Sequence, residues 1–322
     1  DFSGKLAGCK VFSCIDLVKG YHQVPMADAD IAKTAIATPF GLFEYVYMPF
    51  GLKNAAQTFQ RLMDRLFRQL PFVFTYLDDN LIASASDEEH MEHLEQFFEI
   101  LADNGLQLNP AKCVFAAPSL TFLGHKVDAA GVSPLDRHVA DILSFPPPSD
   151  LKGLQRFLGM VNFYRRFLPG IARVLKPLTD LLRGNPKVLE WPEAAATAFS
   201  AAKAALAQCG KLAHPGPGAR LSLAVDASDS HVGGVLQQLD GNSWRPLAFF
   251  SRKLSPTESR YSTFDRELLA AHSAIKHFQF LLEGRLFTLF TDHKPLVAAI
   301  HRVSLPHSAR QQRHLAFVSE YT

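Results

Sequence analysis

The apolar residues of this chain fall in short blocks, and several of those blocks run into a carboxylate. Val11-Phe12-Ser13-Cys14-Ile15 is a mostly apolar run closed by Asp16, which reads as a strand, with a turn through Leu17–Gln23 behind it. Phe72-Val73-Phe74 and Leu81-Ile82-Ala83 flank Tyr76-Leu77-Asp78-Asp79, predicting a tight hairpin of two short strands with two adjacent carboxylates at its tip. Between these blocks, residues 48–60 form a Pro/Gly-punctuated loop running into a helix. Met91, Leu94, Phe97, Phe98 and Leu101 recur at helical spacing over residues 87–104, and Asn104-Gly105 ends that helix. Leu106–Leu108 and Leu120–Val127 read as further strands.

Pro146-Pro147-Pro148 is the strongest punctuation in the chain, fixing an extended linker where no helix can continue. Beyond it Leu154, Phe157, Leu158 and Val161 form a helical stripe, with Arg156, Arg165 and Arg166 off the stripe, either on a solvated face or against a phosphate backbone. Pro215-Gly216-Pro217-Gly218 marks a second break. After it Arg220–Val225 alternates into a strand ending at Asp226, and Gly233-Gly234-Val235-Leu236 suits the returning strand, its small residues allowing close approach. Glu258–Leu282 reads as one long helix carrying Glu267, and Phe287–Phe290 as a strand delivering Asp292.

Composition narrows the class. With 322 residues, 48% hydrophobic and 20% charged, the chain has room for two or more domains with real cores, and wholesale disorder is excluded. The net charge of +2 hides an uneven spread: an acidic helix from Asp87 to Asp103, and a C-terminal stretch with Lys294, Arg302, Arg310 and Arg313 against Glu320. Cys9, Cys14, Cys113 and Cys209 have no CxxC spacing, which argues against a zinc site or disulfide framework and fits a reducing compartment. No apolar run approaches the roughly 18–20 residues that span a membrane. The chain opens at Asp1 rather than Met and stops in what reads as mid-domain, so the expectation is a fragment of a longer polyprotein.

Two adjacent carboxylates at a hairpin tip repel each other unless a cation sits between them. A divalent metal holding triphosphate oxygens is the commonest chemical reason to build such a tip, the alternative being a plain polar turn. Taken with Asp16 and the Pro49-Phe50-Gly51 loop, the Asp78-Asp79 pair resembles the palm of a reverse transcriptase. The strings MPFGLKNAAQTFQR and FLGH are similar to those of gypsy-like long-terminal-repeat retroelements, and the resemblance covers essentially the whole chain.

That resemblance implies an α+β fold: residues 1–130 as a palm with partial fingers, 131–215 as a helical thumb and connection, and 216–322 as an α/β ribonuclease H-like domain. It implies an RNA-directed DNA polymerase with ribonuclease H activity, working on RNA template, DNA primer, RNA–DNA hybrid and deoxynucleoside triphosphates, with no membrane partner. Protease and integrase would sit elsewhere in the parent polyprotein, itself in a cytoplasmic virus-like particle. Each active site would use two Mg2+ or Mn2+ ions. In the first, Asp16, Asp78 and Asp79 are the catalytic and metal-binding carboxylates, with the carbonyl of Leu17 as an extra ligand. Tyr21 would lie beneath the sugar of the incoming nucleotide and exclude a 2′-hydroxyl, with Phe50 and Gly51 lining the same pocket. Lys112 is either a proton donor to pyrophosphate or a surface lysine. In the second, Asp226, Glu267 and Asp292 hold the metals, while Asp229 falls in a loop and Asp265 is out of phase with Glu267 on its helix.

Three departures from the family pattern bear on activity. Few residues precede Asp16, and Lys5 and Lys10 fit no triphosphate-clamping role. Asn80 stands where the family has an aliphatic residue and is expected to weaken packing of the return strand. A fourth acidic ligand is missing after Asp292, where only Glu320 remains. The competing reading is a degenerate or domesticated fragment that binds nucleic acid without catalysis.

Overall fold

Strand β1 (Val11–Asp16) lies between neighbours on both edges, and its alternation puts Phe12 with no exposed surface on one side and Ile15, equally buried, on the other. In the computed structural model, which describes residues 2–184, 186–301 and 308–321, the chain divides into two units, Asp1–Ala130 and Gly131–Thr322.

In the first unit, short helix α1 (Asp28–Ile31) precedes a separate two-stranded hairpin, β2 (Ile36–Thr38) with β3 (Gly41–Phe43). Helix α2 (Ala55–Phe67) follows, burying Ala55, Phe59, Met63 and Phe67 at every fourth position. The main sheet has the order β4 (Val73–Tyr76), β5 (Asp79–Ser84), β1, β6 (Val114–Ala117). Helix α3 (Asp87–Asp103) starts where Ser86 accepts a hydrogen bond from the Glu89 amide, with three acidic residues in its first turn meeting the positive end of the helix dipole. A hairpin of β7 (Ser119–Phe122) and β8 (His125–Asp128) closes the unit.

Three expectations need correction here. Leu120–Val127 is two strands, because Leu123 (φ 45°) and Gly124 (φ 76°) turn the chain back on itself. Leu106–Leu108 contributes only an isolated bridge, Leu17 to Leu108. On α3 it is His90 that is buried, while Met91 is 66% exposed. His90 earns its place by hydrogen bonding, with Nε2 at 2.6 Å from Ser13 Oγ and Nδ1 at 2.7 Å from Ser84 Oγ.

The second unit opens with β9 (Gly131–Pro134) and helices α4 (Asp136–Ser144), α5 (Leu151–Phe163), α6 (Ile171–Val174), α7 (Lys176–Asp180) and α8 (Glu193–Ala207). The three prolines fall between α4 and α5, and Asp150 caps α5 by accepting from the Gly153 amide. The arginines off the α5 stripe are used within the unit: Arg165 donates to the Ser251 carbonyl at 2.5 Å, and Arg156 lies over the Phe145 ring.

A four-stranded sheet then has the order β12 (Ser243–Lys253), β11 (His231–Asp240), β10 (Leu221–Ala227), β13 (Phe287–Phe290). Strands β10 and β13 run parallel and the other pairs antiparallel. Helix α9 (Thr263–Leu282) packs on this sheet through Ala270, Ala271 and Ala274, and a Cβ at Gly234 would come within 3.1 Å of that of Ala274, so the glycine permits the approach. The expected helix from Glu258 is shorter than read: Glu258–Arg260 is a separate 3-10 turn, and Ser262 caps α9 by accepting from the Asp265 amide. Helices α10 (Lys294–His301) and α11 (Ala309–Ser319) follow. Among the described residues no helix is long and apolar enough to cross a membrane.

Candidate active sites

In the first unit, pairing register sets the site. Asp16 ends β1 directly opposite Asp79, the first residue of β5, and Asp79 also pairs with Tyr76 across the hairpin. Leu77 and Asp78 are the two turn residues, and Leu77 has φ 53°, a left-handed conformation that costs a leucine about 1–2 kcal/mol. The turn is tied to β1 at the backbone, the Leu17 amide donating to the Asp78 carbonyl at 3.3 Å.

Three carboxylates thus share one end of the sheet. Burial, and then the charges of Asp78 and Asp16, push the Asp79 carboxyl up, against the opposing pull of Lys112. Lys112 Nζ lies 3.5 Å from Asp16 Oδ2. It gets there because the segment before it is pinned to β1: the Asn109 amide donates to the Asp16 carbonyl at 2.8 Å, and the Val18 amide to the Gln107 carbonyl at 2.9 Å. Gln23 adds to this seam, donating to the carbonyls of Val18 and Gln107 while accepting from the Gln107 amide.

Tyr21 is half-buried, its ring edge-on to Phe59 at 5.6 Å and tilted against Phe50 at 5.4 Å. Phe50 is exposed, and Gly51 has φ 92°, which a side chain would resist. Asn80, expected to weaken packing of the return strand, has its Oδ1 buried with no hydrogen-bond partner among the described residues, while its Nδ2 is used. It is fully buried, and its Nδ2 donates to the carbonyls of Ile15 (3.2 Å) and Asp78 (3.1 Å), linking the strand of one acid to the turn of another.

In the second unit, Asp226 comes from β10, Glu267 from α9 and Asp292 from just beyond β13. Each offers an oxygen, and these atoms lie within 4.8 Å of one another; among the described residues this is the set of three or more metal-ligating groups that converges so. Glu267 is buried, with Oε1 accepting from the Ala227 amide at 3.2 Å and Oε2 having no hydrogen-bond partner among the described residues. Burial, and the Asp226 and Asp292 charges, push its carboxyl up to about 7. An orphaned buried carboxylate oxygen facing two further carboxylates fits a divalent cation. Asp229 instead pairs with Arg266 at 2.6 Å. Asp265 accepts from Ser262 and Gln311 and pairs with Arg310. Glu320 caps the end of α11 and lies outside the converging set.

Sequence reasoning passed over Gly20, Gln23 and Gln60. The first two lie in the turn after Asp16, and Gln60 sits one position along from the apolar stripe of α2, where a polar residue beside a buried face was the available signal.

Residues 2–127 match the family described as reverse transcriptase (RNA-dependent DNA polymerase), and residues 191–289 match the RNase H-like domain found in reverse transcriptase. The chain carries both domains, and its relatives are Pol polyproteins of long-terminal-repeat transposons. It is 39% identical to the retrovirus-related Pol polyprotein from transposon 297 of Drosophila melanogaster, the match covering 99% of this chain and 30% of that protein. It is 31% identical to the transposon Tf2-3 polyprotein of Schizosaccharomyces pombe, over 98% of this chain and 24% of that protein. The chain therefore spans less than a third of the length of these two curated relatives. The α+β fold is that of foamy viral protease-reverse transcriptase: a solved complex with double-stranded DNA matches with TM-score 0.86 at 22% identity, covering 99% of this chain and 56% of that one. A complex of the same viral protein with RNA/DNA hybrid matches with TM-score 0.84 at 23% identity, covering 99% of this chain and 44% of that one.

Proposed function

We propose that this chain is an RNA-directed DNA polymerase that also has ribonuclease H activity, copying RNA into DNA and cutting the RNA of the resulting hybrid. The observation that carries the reading is the register that sets Asp16 against Asp79, with Asp78 on the adjoining turn and Lys112 alongside. Asp16, Asp78, Asp79 and the Leu17 carbonyl would hold one pair of Mg2+ or Mn2+ ions and Asp226, Glu267 and Asp292 another, supplying activation of the attacking oxygen and charge for the leaving one.

The chain's own groups do the remaining work. Strand ends fix the spacing of the acids, so no reorganisation is needed as charge develops. The Tyr21 ring, backed by Phe59, forms the floor beneath the incoming sugar, with Phe50 and Gly51 at its side. Lys112, 3.5 Å from Asp16, would protonate departing pyrophosphate. The substrates proposed are an RNA template, a DNA primer, deoxynucleoside triphosphates and RNA–DNA hybrid, in line with the nucleic acids bound in the foamy viral complexes. Protease and integrase domains elsewhere in a parent polyprotein, and a cytoplasmic particle, belong to the same proposal.

The test is primer extension by the chain and by Asp78→Asn, which removes charge at nearly constant volume. A loss of at least about a thousandfold, roughly 4 kcal/mol of barrier, is expected. A variant that kept more than about a tenth of parental extension, a barrier change under ~1.4 kcal/mol, would exclude Asp78 from the chemistry.

A further inference from the structure

Beside the palm carboxylates the neutral side chain of Gln60 bonds both the end of β4 and the first residue of the acid-bearing turn. In the hairpin ladder the last pair is Tyr76 with Asp79, so the Leu77 amide lies beyond it. That amide donates to Gln60 Oε1 at 2.7 Å. The same side chain donates from Nε2 to the Thr75 carbonyl at 3.2 Å and lies 3.4 Å from the Thr75 hydroxyl. A further bond from Nε2 to Asp64 Oδ1, at 2.9 Å one turn along α2, fixes which way round the amide sits.

We infer that Gln60 is a positioning residue for the polymerase carboxylates: its amide brackets the end of β4 and the first turn residue, and so holds the strained turn at the height that Asp78 requires. This rests on the polymerase reading of Asp16, Asp78 and Asp79. Leu77 is the one residue of the turn with a left-handed φ, and a left-handed leucine persists only where its surroundings hold it. The holding group is on a rigid element. The neighbouring residue Phe59 is fully buried and sits against Tyr21, so consecutive positions of α2 set the floor of the nucleotide pocket and the turn with the acid. Gln60 acts through the backbone of Leu77.

The decisive variant is Gln60→Met, which keeps length and packing but removes every hydrogen bond, with Gln60→Glu as the partial rescue. Glutamate keeps an acceptor for the Leu77 amide, loses the donor to Thr75 and Asp64, and sets its charge against that of Asp64. Both are made in the full chain carrying Asp226→Asn and Asp292→Asn, so that Mn2+ binding followed by electron paramagnetic resonance reads the palm. Gln60→Met is expected to weaken Mn2+ binding and slow primer extension by about tenfold or more, the usual scale for a group supporting a metal ligand. Gln60→Glu is expected to fall between Met and the parent, while the melting temperatures of the three stay close. Parental Mn2+ affinity in Gln60→Met overturns the inference, as does a drop that follows the melting temperature alone. A parent that binds Mn2+ at the palm but extends no primer overturns the polymerase reading and leaves the Mn2+ comparison to judge Gln60. A parent palm that binds no Mn2+ overturns both.

Discussion

At the scale of single residues, the first site depends on atoms that are absent as much as on the acids present. Gly20 follows Lys19 in the turn after β1, and its φ lies outside the left-handed region, so conformational freedom is not its purpose. A Cβ there would stand 2.9 Å from Cζ of Phe59 and 3.3 Å from Cβ of Asp78. Phe59 is fully buried and cannot move aside, so Asp78 or the turn beneath Tyr21 must give way. Gly20→Ala is therefore expected to cut primer extension by about ten- to a hundredfold, the scale of a misplacement of up to ~1 Å in a catalytic group. Hybrid cleavage by the same preparation, proposed to use acids of the other unit, should stay at the parental rate. Equal extension by parent and variant would show that the contact with Asp78 is slack.

At the scale of elements, the packing of α9 on α11 makes stability pH-dependent. His272 on α9 is half-buried and stacks on His314 of α11 at 4.3 Å, with Lys276 and Arg310 also lining the cleft and Arg252 held by Glu258. Burial, then His314, Lys276 and Arg252, push the His272 imidazole down to about 4 from its ordinary 6.5. The fold thus prefers the neutral ring, and the unfolded chain binds the proton first. The stabilisation is complete above the unfolded value near 6.5 and is lost as pH falls from there toward 4. Melting temperatures of the parent and of His272→Gln are expected to converge between pH 7 and pH 4.5, the variant losing less; parallel curves would remove His272 as a source of acid sensitivity.

Sequence pattern reads such elements well where burial follows the apolar residues and poorly where it follows hydrogen bonds. Most of the acids could be picked out because apolar strands end at or beside them, Glu267 because it sits on a helix with a clear apolar stripe, and α5 and the hairpin of β4 and β5 appear where the pattern places them. The reading failed at Leu123, an apolar residue inside a turn, and at His90, a polar residue satisfied by two buried serines. It failed again at Ser262, since a helix start is decided by the cap and not by the apolar stripe that continues past it. Asn80 was noticed as a departure from the family pattern, but its bond to Ile15 depends on a strand distant in sequence.

At the scale of the whole molecule, two carboxylate sets lie in two units, each with a core of its own. Ile15, Phe59, Met63 and Phe97 belong to one core, and Leu223, Leu236, Ala274 and Phe278 to the other. Glu267 is held by α9 and by the Ala227 amide of β10, both inside the second unit, whereas the register that sets Asp16 against Asp79 lies inside the first. Removing its charge without removing its volume should thus separate the activities. In Glu267→Gln the amide can still accept from Ala227, but the orphaned oxygen and the negative charge facing Asp226 and Asp292 are altered together. Hybrid cleavage is expected to fall by about a thousandfold, some 4 kcal/mol of barrier, with primer extension unchanged within about a factor of two. Calcium, larger and less strict in geometry, should support hybrid binding by the parent with little turnover, where magnesium or manganese supports both. The comparison is made on one preparation with one hybrid substrate, so a folding defect would lower both rates. Parental cleavage by Glu267→Gln would mean that the converging acids of the second unit are not where the RNA strand is cut.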